Sequence, residues 1–201
     1  MLFRTSFGGP SSRPDAGEAT ALNKAPARAP DLVYKEKTSE DQAALYRLSG
    51  TLAGGRARLG AMRPMREGAL TPQRPRFVAR GRGAGDRNPL HLDPDFAALG
   101  GFDVPILHGL CTFGIATKHI VQGFGNNDPK TVRSIKARFS KSVYPGETIQ
   151  TEMWREGDRV VFQVRVVERD VLAITNAAIR FFPGQIGAPT PMSALPGRAK
   201  L

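Results

Sequence analysis

Four residues in one stretch have the types and spacing to move protons beside a carbonyl: Asp86, Asn88, His91 and Gly109. Asp86 and His91 lie five positions apart, with Asn88 between them and Pro89 stiffening the backbone. Pro105-Ile106-Leu107-His108-Gly109 then leads into an apolar helical pattern, so Gly109 falls at a predicted helix N-terminus. An acid/base pair beside exposed backbone N–H groups is what proton transfer next to a carbonyl requires. A plainer reading stands beside this one. Gly-Asp-Xaa-Asn-Pro also suits an Asx-turn, and Gly109 also suits a helix start that needs a small residue for packing. On the functional reading, the missing Cβ lets a carbonyl oxygen reach an N–H at the positive end of a helix. Combination on one short loop favours that reading. His108 and Cys111 read as structural, Cys111 as a buried thiol, and His119 reads as lying on a solvated helix face.

The elements that must hold these residues follow from periodicity. Residues 1–30 are rich in Pro, Gly, Ser and Ala and read as a linker; residues 31–35 suit a short strand. Ser39-Glu40-Asp41-Gln42 is a capping-box pattern opening a short helix that Gly50 ends. Residues 51–85 show neither helical nor strand periodicity and read as a disordered basic insertion. Asp93 with Pro94 opens another helix, which runs through Leu99 and stops at Gly100-Gly101. The long helix is predicted over 107–124. Its core stripe is expected at Leu110, Phe113, Gly114, Thr117, Ile120, Val121 and Phe124, with Gly114 permitting close approach of a neighbour. Beyond Pro129 the period becomes alternating, giving strands over 132–143, 148–156, 160–168 and 171–182. Phe162, Val164 and Val166 should share one face and Gln163 and Arg165 the other. A long helix followed by an antiparallel meander is an α+β fold with the sheet wrapped on the helix. The domain is expected over 31–183, with a tail over 184–201.

Composition excludes several classes. No run of 18 apolar residues exists to form a membrane-spanning helix, and the single cysteine excludes an internal disulfide framework and fits a reducing compartment. The net charge of +11 raises nucleic acid as a partner. Its distribution argues otherwise: eight arginines and one glutamate give residues 51–85 seven of those eleven charges. That segment lacks the interleaved aromatics of a stacking platform, Phe77 standing alone, so no nucleic acid and no membrane partner is expected.

The segment GDRNPLH resembles the signature of hydratase 2 enzymes, the (R)-specific enoyl-CoA hydratases of the MaoC-like hot-dog superfamily. The stretches DQAALYRLSG, PILHGLCTFG and IKARFSKSVYPGETIQTEMW are similar to the C-terminal half of the hydratase part of peroxisomal multifunctional enzymes. The resemblance implies a single hot dog, half of the eukaryotic double hot dog, and reversible hydration of trans-2-enoyl-CoA to (R)-3-hydroxyacyl-CoA in fatty-acid β-oxidation. Asp86 and His91 would hold and activate the water and handle the proton added at C2, either one filling either role. Asn88 would orient them, and the Gly109 N–H would stabilise the thioester enolate. Substrate contacts would come from Pro89, His108, Leu110, Arg138 and Lys141, the two cations facing CoA phosphates. No cofactor is implied beyond the coenzyme A that the substrate carries.

The expected partners are an acyl-CoA thioester, a second copy or a missing N-terminal hot-dog half, and the peroxisomal import receptor. The receptor would read Ala199-Lys200-Leu201, a close relative of the Ser-Lys-Leu address, which places the chain in the peroxisome. Excising residues 51–85 joins YRLSG to DRNPLH as in the family, and the segment is expected to be translated intron. Two alternatives remain on sequence grounds: an inactive or mis-spliced fragment, and an RNA- or protein-binding variant acting through the Arg/Gly-rich insertion.

Overall fold

The structure, a computed structural model, describes residues 23–49 and 88–195. Five antiparallel strands are arranged in the order β1 (Leu32–Lys37), β3 (Thr148–Glu156), β4 (Arg159–Val166), β5 (Val171–Phe181) and β2 (Val132–Phe139). The alternating sequence produces this arrangement directly. Phe162, Val164 and Val166 are fully buried on one face, while Gln163 and Arg165 are half-buried on the other. Gly157 at φ +64° makes the tight β3–β4 turn, closed by the Glu156–Arg159 pair. Register shifts in β2 between Lys136 and Arg138, and in β4 against β5 between Phe162 and Val164, bend the sheet. The chain leaves the sheet after Phe139, earlier than the alternation suggests. Val143 is instead buried, and its carbonyl accepts a hydrogen bond from Leu107 N–H at 2.7 Å.

Among the described residues, three α-helices complete the frame: α1 (Gln42–Ser49), α2 (Pro94–Leu99) and α3 (Gly109–Phe124). α3 packs on β3, β5 and β2. Its buried face carries Cys111, Thr112, Ala116, His119, Ile120, Val121, Gly123 and Phe124. The expected stripe is therefore out of phase at its start, with Leu110 62% exposed and Gly114 exposed. His119 corrects the sequence reading most sharply. It lies at zero exposure, its Nδ1 2.9 Å from Thr151 Oγ1 and its Nε2 3.2 Å from Glu36 Oε2. Polar partners on two strands satisfy an imidazole that hydropathy alone assigns to solvent.

The close approach expected at Gly114 occurs further along. A Cβ at Gly114 meets nothing within 4 Å, whereas one at Gly125 lies 2.9 Å from Thr131 Oγ1, 3.0 Å from Val121 O and 3.1 Å from the Phe181 ring. Gly125→Ala should destabilise the fold by about 1–3 kcal/mol through overpacking. Gly114→Ala should stabilise it by about 0.5–1 kcal/mol, as a helix-interior glycine in open space. Denaturant midpoints of the two variants check both signs.

Both flanking segments also dock. Trp154 Nε1–H donates to Arg28 O at 2.8 Å, and Ala25 packs on the Trp154, Val161 and Ala178 cluster, so residues 23–30 cover the sheet face opposite α3. Residues 184–195 run back over the end of α3. Gly187 N–H donates to Phe124 O at 2.6 Å, Thr190 N–H to Gly123 O at 2.9 Å, and Tyr34 Oη–H to Thr190 O at 2.5 Å. Backbone groups make most of these bonds, so Pro/Gly-rich texture concealed them.

Candidate functional site

His91 is held by a rigid local turn. Asn88 Oδ1 accepts from Leu90 N–H at 3.1 Å and Pro89 opens a 3₁₀ turn over Pro89–His91. The carbonyl of Pro89 accepts from Leu92 and Asp93 N–H at 3.0 and 2.8 Å. Asp93 then caps α2 through Asp95 and Phe96 N–H. The His91 ring is buried, at 8% exposure, and its Nδ1–H donates to Ile106 O at 2.7 Å. A carbonyl can only accept, so Nδ1 carries the proton and Nε2 of the neutral ring is a proton acceptor.

Gly109 begins α3. The carbonyl of His108 accepts the first two helical bonds, from Cys111 N–H at 3.0 Å and Thr112 N–H at 3.2 Å. The Gly109 N–H precedes that ladder and points off the positive end of the helix. His91 and Gly109 line one cavity of about 330 Å³, together with Thr112, Phe139, Lys141, Ser142 and Ile174. A Cβ at Gly109 would stand 3.3 Å from the Phe139 ring, so a side chain here crowds the cavity wall. Glycine thus serves packing and access at once.

The other expected residues divide. Asp86 lies outside the described residues, as do residues 51–85 and Ala199-Lys200-Leu201. Asn88 is exposed and caps the turn; Pro89 is exposed and does not line the cavity. His108 is buried behind His91, with ring centroids 3.7 Å apart at 25°. Leu110 and Arg138 are exposed and absent from the lining, because α3 is rotated from its expected phase and Arg138 projects from edge strand β2. Lys141 stands on the lining. Sequence reasoning missed Phe139 and Thr112, whose place depends on packing across the fold. It also missed Tyr46, whose ring lies 4.7 Å from His108.

Burial pushes the Cys111 thiol up to about 11, which fits a structural thiol and not a thiolate nucleophile. Glu36 has the opposite behaviour. The hydrogen bond from His119 and the Lys118 ammonium hold its carboxyl down at about 2, against the cost of burial. Its folded pKa is below the ordinary 4.5, so its stabilisation is complete above pH 4.5 and is lost as pH falls through about 2. Glu36→Gln should flatten the acid limb of the stability profile over that window and cost roughly 1–2 kcal/mol at pH 7. Thermal melts from pH 2 to 7 check it. Among the described residues, no group of His, Cys, Asp and Glu could hold a metal ion, and no helix is long and apolar enough to cross a membrane.

A long helix laid on a curled five-stranded antiparallel sheet, with an imidazole facing the helix start across a cavity, is a hot-dog fold of the dehydratase and hydratase type. A family model described as MaoC like domain matches residues 74–177, and the chain belongs to that family. The full-length peroxisomal multifunctional enzyme type 2 from Drosophila melanogaster superposes with a TM-score of 0.61 at 36% identity, over 79% of this chain and 23% of that one. The mouse peroxisomal multifunctional enzyme type 2 is 40% identical over 182 residues, covering 90% of this chain and 20% of that protein. A peroxisomal enoyl-CoA hydratase 2 of Arabidopsis thaliana is 42% identical over 147 residues, covering 73% and 36%. The chain therefore spans between a fifth and about a third of the length of these two curated relatives.

Proposed function

We propose that the chain hydrates trans-2-enoyl-CoA reversibly to (R)-3-hydroxyacyl-CoA in peroxisomal β-oxidation. The observation that carries this reading is that His91 and Gly109, the first residue of α3, line one cavity. The thioester oxygen takes the Gly109 N–H, where the start of α3 stabilises the negative charge that grows there as water adds at C3. His91, its Nδ1–H spent on Ile106 O, offers Nε2 to a water proton. Asp86, five residues earlier, supplies the second proton-handling group, for delivery at C2. The hydroxyl ends on C3 and the proton on C2, so no redox partner enters. The names of the mouse and Arabidopsis relatives support the substrate class and the compartment. Lys141, on the cavity lining, would meet a CoA phosphate.

The same reading gives the chain a hot-dog partner, either a second copy or another hot-dog half. Among the described residues β2 is an edge strand; Phe139 at its end and Leu110 at the start of α3 are 51% and 62% exposed. An open edge flanked by apolar side chains calls for a cover. Import would follow from Ala199-Lys200-Leu201 binding the peroxisomal receptor.

Incubating the purified chain with a medium-chain trans-2-enoyl-CoA should consume the enoyl thioester. The same assay on a chain lacking residues 51–85 shows whether that segment impedes turnover. Absence of hydration in both forms overturns the proposal.

A further inference from the structure

We propose that Thr112 is a further catalytic residue of this hydration, its hydroxyl holding the water that adds at C3 and, in the reverse direction, the C3 hydroxyl that leaves. The assignment deepens the hydratase reading and rests on it. Four threonines are buried among the described residues, and three of them spend their hydroxyls inside the fold. Thr38 Oγ1–H donates to Glu147 O at 2.8 Å and Thr131 Oγ1–H to Asp128 O at 2.6 Å, while Thr151 Oγ1 meets His119 Nδ1 at 2.9 Å. Thr112 is 2% exposed, and its hydroxyl makes no hydrogen bond with any described residue. Its oxygen is not closed off from solvent either. Thr117, further along α3, shows the ordinary alternative, its hydroxyl donating to Phe113 O at 2.8 Å. A buried hydroxyl without a protein partner costs stability unless something else supplies one. Thr112 lines the cavity of His91 and Gly109, so what enters that cavity supplies it.

Position decides which atom it meets. Residues three apart share a helix face and side chains lean towards the helix N-terminus, so Thr112 overhangs the turn that Gly109 begins. Three residues rise about 4.5 Å along the axis. That is too far for the hydroxyl to share the oxygen held by the Gly109 N–H. It suits the next polar atom of the substrate, the oxygen on C3, a three-carbon unit away. A hydroxyl both donates and accepts. The attacking water therefore gives one proton towards His91 Nε2 and a hydrogen bond to Thr112 Oγ1. In the reverse direction the Thr112 hydroxyl donates to the C3 oxygen. No bond to Thr112 forms or breaks.

The test compares Thr112→Val and Thr112→Ser with the unmodified chain, by hydration of a medium-chain trans-2-enoyl-CoA and by inhibition with the saturated acyl-CoA of the same length. Valine keeps the shape and deletes the hydroxyl; serine keeps the hydroxyl. Thr112→Val should lower kcat about tenfold, the scale of one hydrogen bond made as the water reacts. Its inhibition constant for the saturated thioester, which has no oxygen on C3, should stay within about twofold. Thr112→Ser should keep kcat within about threefold. The thermal midpoint of Thr112→Val should not fall, because the hydroxyl has no partner in the fold to lose. A Thr112→Val variant as fast as the unmodified chain, a Thr112→Ser variant as slow as Thr112→Val, or inhibitor binding weakened as much as the rate overturns the proposal. If the unmodified chain hydrates no enoyl-CoA, the hydratase reading fails and this assignment falls with it. If the unmodified chain turns over and the variants behave otherwise than stated, the assignment alone falls.

Discussion

His91→Ala should lower kcat for enoyl-CoA hydration by about 10²–10⁴-fold, the usual contribution of a positioned acid or base. The imidazole lines the cavity and carries both a proton donor and a proton acceptor in one ring. Its Nδ1 is committed to Ile106 O, so all proton traffic at His91 passes through Nε2. KM should change far less, because the ring is needed when the proton moves and contributes little to holding the thioester. His91→Gln sharpens the comparison: its amide can still donate to Ile106 O but takes no proton at neutral pH, and it should lose as much as alanine. Steady-state kinetics on the two variants, with circular dichroism to show that both fold, check the expectation. A His91→Gln variant that retains most of the activity would remove His91 from the chemistry.

Gly109→Val should cost about 10²–10³-fold in kcat, the scale set by losing one donor to a developing oxyanion. The added side chain has two effects that can be separated. It covers the first free N–H of α3, and it meets the Phe139 ring 3.3 Å away. If covering the donor dominates, the loss persists when Phe139→Ala makes room. If displacement of the ring dominates, the double substitution restores most of the rate. Covering should dominate, because Phe139 is 51% exposed and has space to yield. Kinetics on both single variants and the double variant decide between them.

The strands and the turn that carries His91 were legible because each is written in local chemistry. Alternation over residues 159–166 places Phe162, Val164 and Val166 inside, and Asp93-Pro94 marks the start of α2 without ambiguity. His91 and Gly109, singled out by type and spacing, line one cavity. The phase of α3 was not legible, since its buried face includes Thr112 and His119, and His119 is satisfied by Thr151 on β3 and Glu36 on β1. One-dimensional hydropathy assigns such residues to solvent because their partners are distant in sequence. Residues 184–195 escaped notice for a related reason: their attachment to Phe124 and Gly123 runs through backbone groups. Phe139 and Tyr46 reach the neighbourhood of His91 and His108 only through the fold, so nothing in their own flanks marks them.

On the proposed function, His91 and the Gly109 N–H together add water to an enoyl thioester with one handedness. Chiral analysis of the product formed by the purified chain from a medium-chain trans-2-enoyl-CoA tests it most directly. The expected product is (R)-3-hydroxyacyl-CoA, abolished together with turnover in His91→Ala. An (S) product, or an (R) product that persists in His91→Ala, would contradict it.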